Sequence, residues 1–236
     1  MQFSYKGHTI YLSRPVVIRK TSERLIDEKM QRKFFESFSQ YHEDALLWNA
    51  FFKKKNGFYV DIGANDPSFL SNTKKYYDCG WSGINVEPNI TLYQKLLHER
   101  PRDINVNSGI SNVKGEMIFY QMDPDSLSSF NEAVAKKSMK IYKNAHITKQ
   151  IPVQVTTLLE LFNMHVGNKK IDFLSIDAEG LEMSIIDSND WTKYRPSVVI
   201  VELNQDINDN VYKFLTEKEY AMVYFNNTNG IFVNRQ

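Results

Sequence analysis

One cysteine, Cys79, stands among the 236 residues, which excludes an intrachain disulfide or a cysteine-built metal cluster and points to a reducing compartment. Net charge is nearly absent too. The 29 Lys and Arg residues against 28 Asp and Glu leave a formal charge of +1, so no global field draws the chain to nucleic acid or an anionic membrane; polyanion binding would need a local patch. No stretch reaches the roughly eighteen consecutive apolar residues of a membrane span. Gln2, Ser4, Lys6, Gly7 and His8 interrupt the N-terminal stretch, which therefore lacks the continuous apolar centre of a secretory leader. A soluble cytoplasmic chain is the expectation. The 5 histidines show no His-x-x-x-His or similar ligand spacing, and no metal is assigned. Gly-x-Ser-x-Gly turns and Walker-type loops are absent, as are internal repeats and low-complexity tracts.

What the chain does have is a regular alternation of apolar runs and amphipathic stretches. Strands are expected near 58–62, 83–87, 104–108, 171–177, 197–203, 219–225 and 230–234, with helices near 68–79, 89–99, 157–165, 179–187 and 207–217 between them. Such an order specifies a mostly parallel sheet covered on both faces. Asn226 to Gly230 is too short for a crossover and rich in turn residues, so the last two strands should form an antiparallel hairpin at the edge. The length suits one α/β domain over 57–236 with an N-terminal addition over 1–56. Residues 1–20 alternate loosely and fit a small hairpin or an extended arm. From Ser22, the positions Ile26, Met30, Phe34, Phe38, Tyr41, Ala45, Trp48 and Phe52 follow the helical period and should pack on the core. A strand is expected at Glu116 to Gln121. The polar segment Met122 to Gln150 reads as a loop over the pocket.

The stretch from Phe58 to Glu87 is one βαβ unit with an acid and a glycine turn at its first strand end and an acid at its second. Gly63, lacking a Cβ, lets the backbone turn sharply and leaves room for a ligand. Glu87 is placed to accept both hydroxyls of a ribose. Asp66 and Pro67 occupy the turn where a dinucleotide fold carries its third glycine, and a negative charge there is hostile to phosphate. It suits a cationic nucleoside such as S-adenosylmethionine (SAM) instead. Ligands of an open parallel sheet bind at the carboxyl ends of the strands. The candidates there are Asp61 and Asn65, Glu87, Ser108 to Asn112, Asp177 with Glu179, and Glu202 with Asn204. Asp177-Ala178-Glu179-Gly180-Leu181-Glu182 is the densest. Helix capping accounts for its glutamates, but acids ending three parallel strands repel one another unless a cation, a metal or a proton compensates.

Phe58-Tyr59-Val60-Asp61-Ile62-Gly63-Ala64-Asn65, Val86-Glu87-Pro88, Ser108-Gly109-Ile110-Ser111-Asn112 with Gly115, Thr157-Leu158, Asp172 to Gly180 and Val199-Ile200-Val201-Glu202 together resemble the FkbM family of SAM-dependent methyltransferases. The likeness runs in order over about 39 to 234, and Ser39-Gln40 with Glu43-Asp44 resembles a segment that precedes the fold in many relatives. Pro67, Asn112 and Ser175 depart from the usual glycine, aspartate and lysine. The resemblance implies a Rossmann-like, seven-stranded methyltransferase fold with an antiparallel C-terminal hairpin and an N-terminal helical extension. It implies SAM as methyl donor and a hydroxyl of a sugar, glycan or related metabolite as acceptor. Asp61, Gly63, Asn65, Glu87, Ser108, Gly109, Ile110, Asn112 and Asp177 are the expected cofactor residues. Ser128, Ser129, Glu202 and Asn204 are expected to meet the acceptor. A hydroxyl needs a base as it attacks, and Asp177, then Glu179, is assigned that role. The alternative is an inactive SAM- or S-adenosylhomocysteine-binding or protein-interaction module of the same fold. A homo-oligomer stays open, and no nucleic-acid partner is expected.

Overall fold

Every residue of Phe58–Ile62 is buried, which is what a strand covered on both faces requires. The computed structural model describes residues 2–5, 8–11, 37–51, 54–203 and 208–236. Gln2–Tyr5 (β1) and His8–Tyr11 (β2) pair antiparallel, and the rest of the expected arm over 1–20 lies outside the described residues. Glu43–Phe51 is a helix (α1), followed by Phe58–Ile62 (β3), Lys74–Asp78 (α2), Ser82–Val86 (β4), Ile90–Glu99 (α3) and Ile104–Val106 (β5). Gly109–Ile110 (β6), Gly115–Asp123 (β7), a single turn at Asp125–Leu127, Glu132–Ile141 (α4) and His146–Thr156 (β8) come next. Leu158–His165 (α5), Phe173–Ile176 (β9), Glu182–Asp187 (α6), Val198–Glu202 (β10), Asn208–Glu217 (α7), Tyr220–Phe225 (β11) and Asn229–Asn234 (β12) follow among the described residues.

The main sheet has 7 strands in the order β11-β12-β10-β9-β3-β4-β5. Only β12 runs against the others, antiparallel to both β10 and β11, so the expected hairpin forms. Strand order leaves β3 in both directions, to β4 and β5 on one side and to β9 and β10 on the other. That reversal opens a crevice at the carboxyl ends of β3 and β9. Alternation along the strands sorts the core. Val60, Ile62, Leu174, Ile176, Val199 and Val201 pack with α5, α6 and α7. Tyr59, Phe173, Val198 and Ile200 pack on the other face with Leu47, Trp48, Tyr76 and Trp81. Asp61 pairs in register with Ser175, and by the same alternation both point to the aromatic face at its open end.

Four expectations need correction. Of the helical stripe drawn from Ser22, Ile26, Met30, Phe34 and Phe52 lie outside the described residues, while Phe38 and Tyr41 precede the helix. The buried Asp44 carboxylate accepts from Ser37 Oγ at 2.6 Å, Phe38 N at 2.8 Å and Ser39 Oγ at 3.0 Å. Those bonds fold the chain back onto the start of α1. The helix expected over 68–79 keeps only Lys74–Asp78, because Asp66 Oδ1 accepts from Ser68 N and Phe69 N, and Ser71 Oγ from Thr73 N and Lys74 N. Side chains here outcompete the helical ladder. Segment 122–150 is no loop: Asn131 caps α4 by accepting from Ala133 N, and β8 pairs with β7 in a separate 3-stranded sheet, β6-β8-β7. Finally, the helix expected from 179 begins at Glu182. Asp177 and Glu179 are therefore not first-turn residues.

Candidate active site

Gly63 opens the turn after β3 at φ 77°, and Gly63 N and Ala64 N donate to Val86 O at 3.0 and 3.1 Å. A Cβ on Gly63 would lie 1.8 Å from the carbonyl oxygen of Asp177. The glycine is thus demanded by the adjacent strand end, a closer constraint than clearance for a ligand. Asn65, also left-handed at φ 50°, donates its N–H to Glu87 Oε2 at 2.8 Å, and Asn89 N donates to Glu87 Oε1 at 2.8 Å. Each Glu87 oxygen keeps a lone pair beyond these bonds, and the residue lines the cleft.

Glu87 is pushed up to about 7, first by burial, against the two backbone N–H groups that favour its charge, with Asp125 and Asp61 adding repulsion. An unfolded glutamate titrates near 4.5. Between those values the folded chain holds a proton that the unfolded chain has lost, so this contribution is full below the unfolded value and lost as pH rises through the folded one. Stability should fall by roughly 3 kcal/mol from this group between pH 4 and 8, since one pKa unit is about 1.4 kcal/mol. Urea unfolding at several pH values checks it. Glu87→Gln should flatten that part of the profile; an unchanged profile would mean Glu87 stays charged in the fold.

Below the crevice, Asp61 accepts from Thr73 Oγ1 at 2.8 Å, and Asn72 Nδ2 donates to Ser175 Oγ at 3.1 Å. Burial raises the Asp61 carboxyl, and the hydroxyl of Thr73, the Arg100 charge and the hydroxyl of Ser175 oppose it. The facing wall is the turn 177–181. Glu179 has φ 48° and Gly180 φ 102°, neither of which a right-handed helix allows. Glu182 holds the turn by accepting from Ala178 N and Gly180 N, each at 3.1 Å. Ser129 Oγ donates to Glu179 O at 2.6 Å and accepts from Asn131 N at 2.8 Å. Asp177 is open to the cleft but walled by protein elsewhere. That enclosure, then the charge of Glu182, pushes it up to about 7, and Glu179 rises to about 9 by burial and the Asp177 charge. Asp177, Glu179 and Glu202 each bring a carboxylate oxygen within 4.8 Å of the others. Such oxygens can share protons or take a hard divalent cation.

The cleft encloses about 380 Å³. Asp61, Gly63, Asn65, Glu87, Ser108, Gly109, Ile110, Asp177, Glu179, Ser128 and Glu202 all line it. The hydroxyl of Ser108 is committed to Gln154 O at 2.8 Å. Gly109 lies flat beneath Phe130, whose Cζ would be 2.5 Å from an added Cβ. Asn112 is exposed and outside the lining. Ser129 supports the wall from behind rather than lining it, and Asn204 lies outside the described residues. Sequence reasoning missed Asn72, Ser175 as a hydroxyl of the floor, Asp125, and Lys137 and Ser138 of α4. Asp125 is brought to the site by a contact between distant segments, accepting from Asn89 Nδ2 at 3.0 Å, which no local pattern in the sequence signals. Glu43 explains its segment, accepting from Asn226 and Asn229 side chains at 3.0 and 2.7 Å and so tying the start of α1 to the edge hairpin.

A mostly parallel seven-stranded sheet with its crevice at a strand reversal, lined by acids at three strand ends, and an antiparallel C-terminal hairpin define an α/β protein of the methyltransferase fold. More particularly, the chain belongs to the FkbM methyltransferase family, for the model of the methyltransferase FkbM domain matches residues 61–222. No curated protein matches the chain. Among the described residues, no helix is long and apolar enough to cross a membrane.

Proposed function

We propose that the cleft transfers a methyl group from SAM to a hydroxyl of a sugar, glycan or related metabolite. The observation that carries this reading is Glu87, buried at a strand end with both oxygens fixed by backbone N–H groups and lone pairs left for a ribose diol. Donor chemistry fits the group as well. Asp61, Glu87 and Asp177 together favour a cationic nucleoside over a phosphate-bearing one. When bound, SAM supplies a methyl group on a positively charged sulfur. Glu87 holds the ribose, the turn from Gly63 to Asn65 meets the amino-acid end, and Ser108 to Ile110 with Phe130 flank the base. Asp177, poised near neutrality, takes the acceptor hydroxyl's proton. Glu179, which binds its proton more tightly, donates a hydrogen bond to an acceptor oxygen; two carboxyls set apart in this way divide the acid and base roles. On the acceptor side, Asn72, Ser128 and Glu202 offer hydrogen bonds and Tyr41 and Tyr142 offer ring faces, a mixture suited to a ring with hydroxyls and an apolar face.

Thermal unfolding with SAM, S-adenosylhomocysteine and NAD, for the wild type and Glu87→Ala, tests the reading. At about 100 times its dissociation constant a ligand stabilises by roughly 2.7 kcal/mol, which corresponds to roughly 5–10 °C at this size. Stabilisation by the first two alone, lost in the variant, is expected. A shift with NAD only, or with none, refutes the assignment, and binding without turnover on any hydroxylated acceptor would favour the inactive module.

A further inference from the structure

The cleft is polar within and apolar at its mouth. Tyr41 and Leu70 stand on one lip, Ile141 and Tyr142 on the other, and all four line the cavity while remaining exposed. Phe69, 70% exposed, follows the first lip beside Leu70. Soluble surfaces carry single exposed apolar side chains routinely, but a group gathered around one opening marks an interaction site. Charge is gathered there too. Lys137 lines the cavity, Lys136, Lys140 and Lys143 are exposed on the same helix or just past it, and Glu132, paired with Lys136 at 2.8 Å, is the one acid over 132–149, in a chain whose formal charge is only +1. At 100° per residue, Lys136, Lys137, Lys140 and Ile141 share one flank of α4, beside the stripe of Val134, Lys137, Ser138 and Ile141 that faces the cavity.

We propose that this mouth docks on an anionic lipid bilayer, so that the cleft opens at the membrane surface. Lysines with interleaved exposed apolar side chains on a short amphipathic helix match such a surface in both respects, charge against acidic headgroups and side chains at the acyl boundary. A soluble polyanion would use the lysines and leave Phe69 and Ile141 in water. Docking stands independently of methyl transfer. Combined with the function proposed above, it assigns the acceptor to a lipid-linked hydroxyl compound whose polar head enters the cleft while its tail stays in the bilayer.

Sedimentation of the full chain with vesicles of phosphatidylcholine alone, or of phosphatidylcholine with phosphatidylglycerol, reads the docking directly. Binding to the anionic vesicles only, weakened by salt, is expected. Lys140→Glu with Lys143→Glu should weaken it at least about 25-fold, at roughly a fivefold loss per lysine. Phe69→Ser with Ile141→Ser should weaken it about tenfold, and both variants should keep the wild-type thermal shift with SAM. Equal binding by either pair, no binding to anionic vesicles, or concentration-dependent self-association abolished by the lysine pair would overturn the proposal. Lost vesicle binding with an intact SAM shift would sink docking alone. Intact vesicle binding without that shift would sink the cofactor reading alone.

Discussion

Replacing Asp177 with asparagine is expected to lower turnover by two to four orders of magnitude while changing SAM affinity far less. General-base catalysis supplies about 10²–10⁴ in rate, and asparagine keeps the shape of the side chain but takes no proton. The backbone around the residue does not depend on its carboxylate: Asp177 N donates to Ile62 O at 3.0 Å, and the turn after it is held by Glu182 and Ser129. Asp177 is pushed up to about 7, by its enclosure and by the Glu182 charge, so turnover in the wild type should rise with pH through neutrality and level off above it. The variant should lose that rise. Glu179→Gln should cost less, because Glu179, raised to about 9, is protonated over most of the range and its amide replacement still donates a hydrogen bond. Single-turnover rates and SAM titrations on the two variants check the assignment. Equal losses of affinity and turnover in Asp177→Asn would make Asp177 a cofactor ligand and leave the base elsewhere.

The strand ends were legible because period-two burial and a terminal acid are local signals. Asp61, Glu87 and Asp177 end β3, β4 and β9 side by side, and the resemblance to the FkbM family points to the same three. What escaped reading depends on contacts between distant segments or on weak periodicity. Helix α4 buries only Ala135 and Ser138, two small residues, so no apolar stripe announces it and its lysines read as loop. The turn 177–181 reads as a helix start because acids favour a first turn. It is instead wound left-handed at Glu179 and Gly180 and stabilised by Glu182, the first residue of α6, and by Ser129, which follows the turn after β7 and bridges back to Tyr120, a pairing across about fifty residues. Asp66 and Ser71 shortened α2 through side-chain bonds that compete with the helical period.

Arg100→Met is expected to destabilise the fold by about 3–5 kcal/mol, the cost of breaking a buried ion pair by removing one partner. Arg100 is 1% exposed at the end of α3. Its Nε donates to Pro67 O at 3.1 Å, Nη2 to Pro67 O and to Ser71 Oγ at 3.2 Å, and Nη1 to Tyr59 OH at 3.2 Å and Thr73 Oγ1 at 3.4 Å. Asp103 Oδ2 lies 3.7 Å from Nη1. Asp103 also accepts from Tyr59 OH, Gly83 N and Asn85 Nδ2 at 2.5, 2.8 and 2.9 Å, so one guanidinium joins β3, β4 and the loop 67–73. A thioether fills some of the volume and none of the donors, leaving the Pro67 carbonyl and the Asp103 charge buried. Lysine should rescue little, since one ammonium cannot span the planar fork. The loss should reach function as well, because Leu70, Ser71 and Asn72 of that loop line the cleft and Thr73 holds Asp61. Urea unfolding should show the midpoint shift, and SAM should stabilise the remaining folded protein less than it stabilises the wild type. Arg100→Met with Asp103→Asn removes both charges and should recover part of the stability. A single variant within about 1 kcal/mol of wild type would mean that water replaces the guanidinium and that the loop, not Arg100, organises this wall.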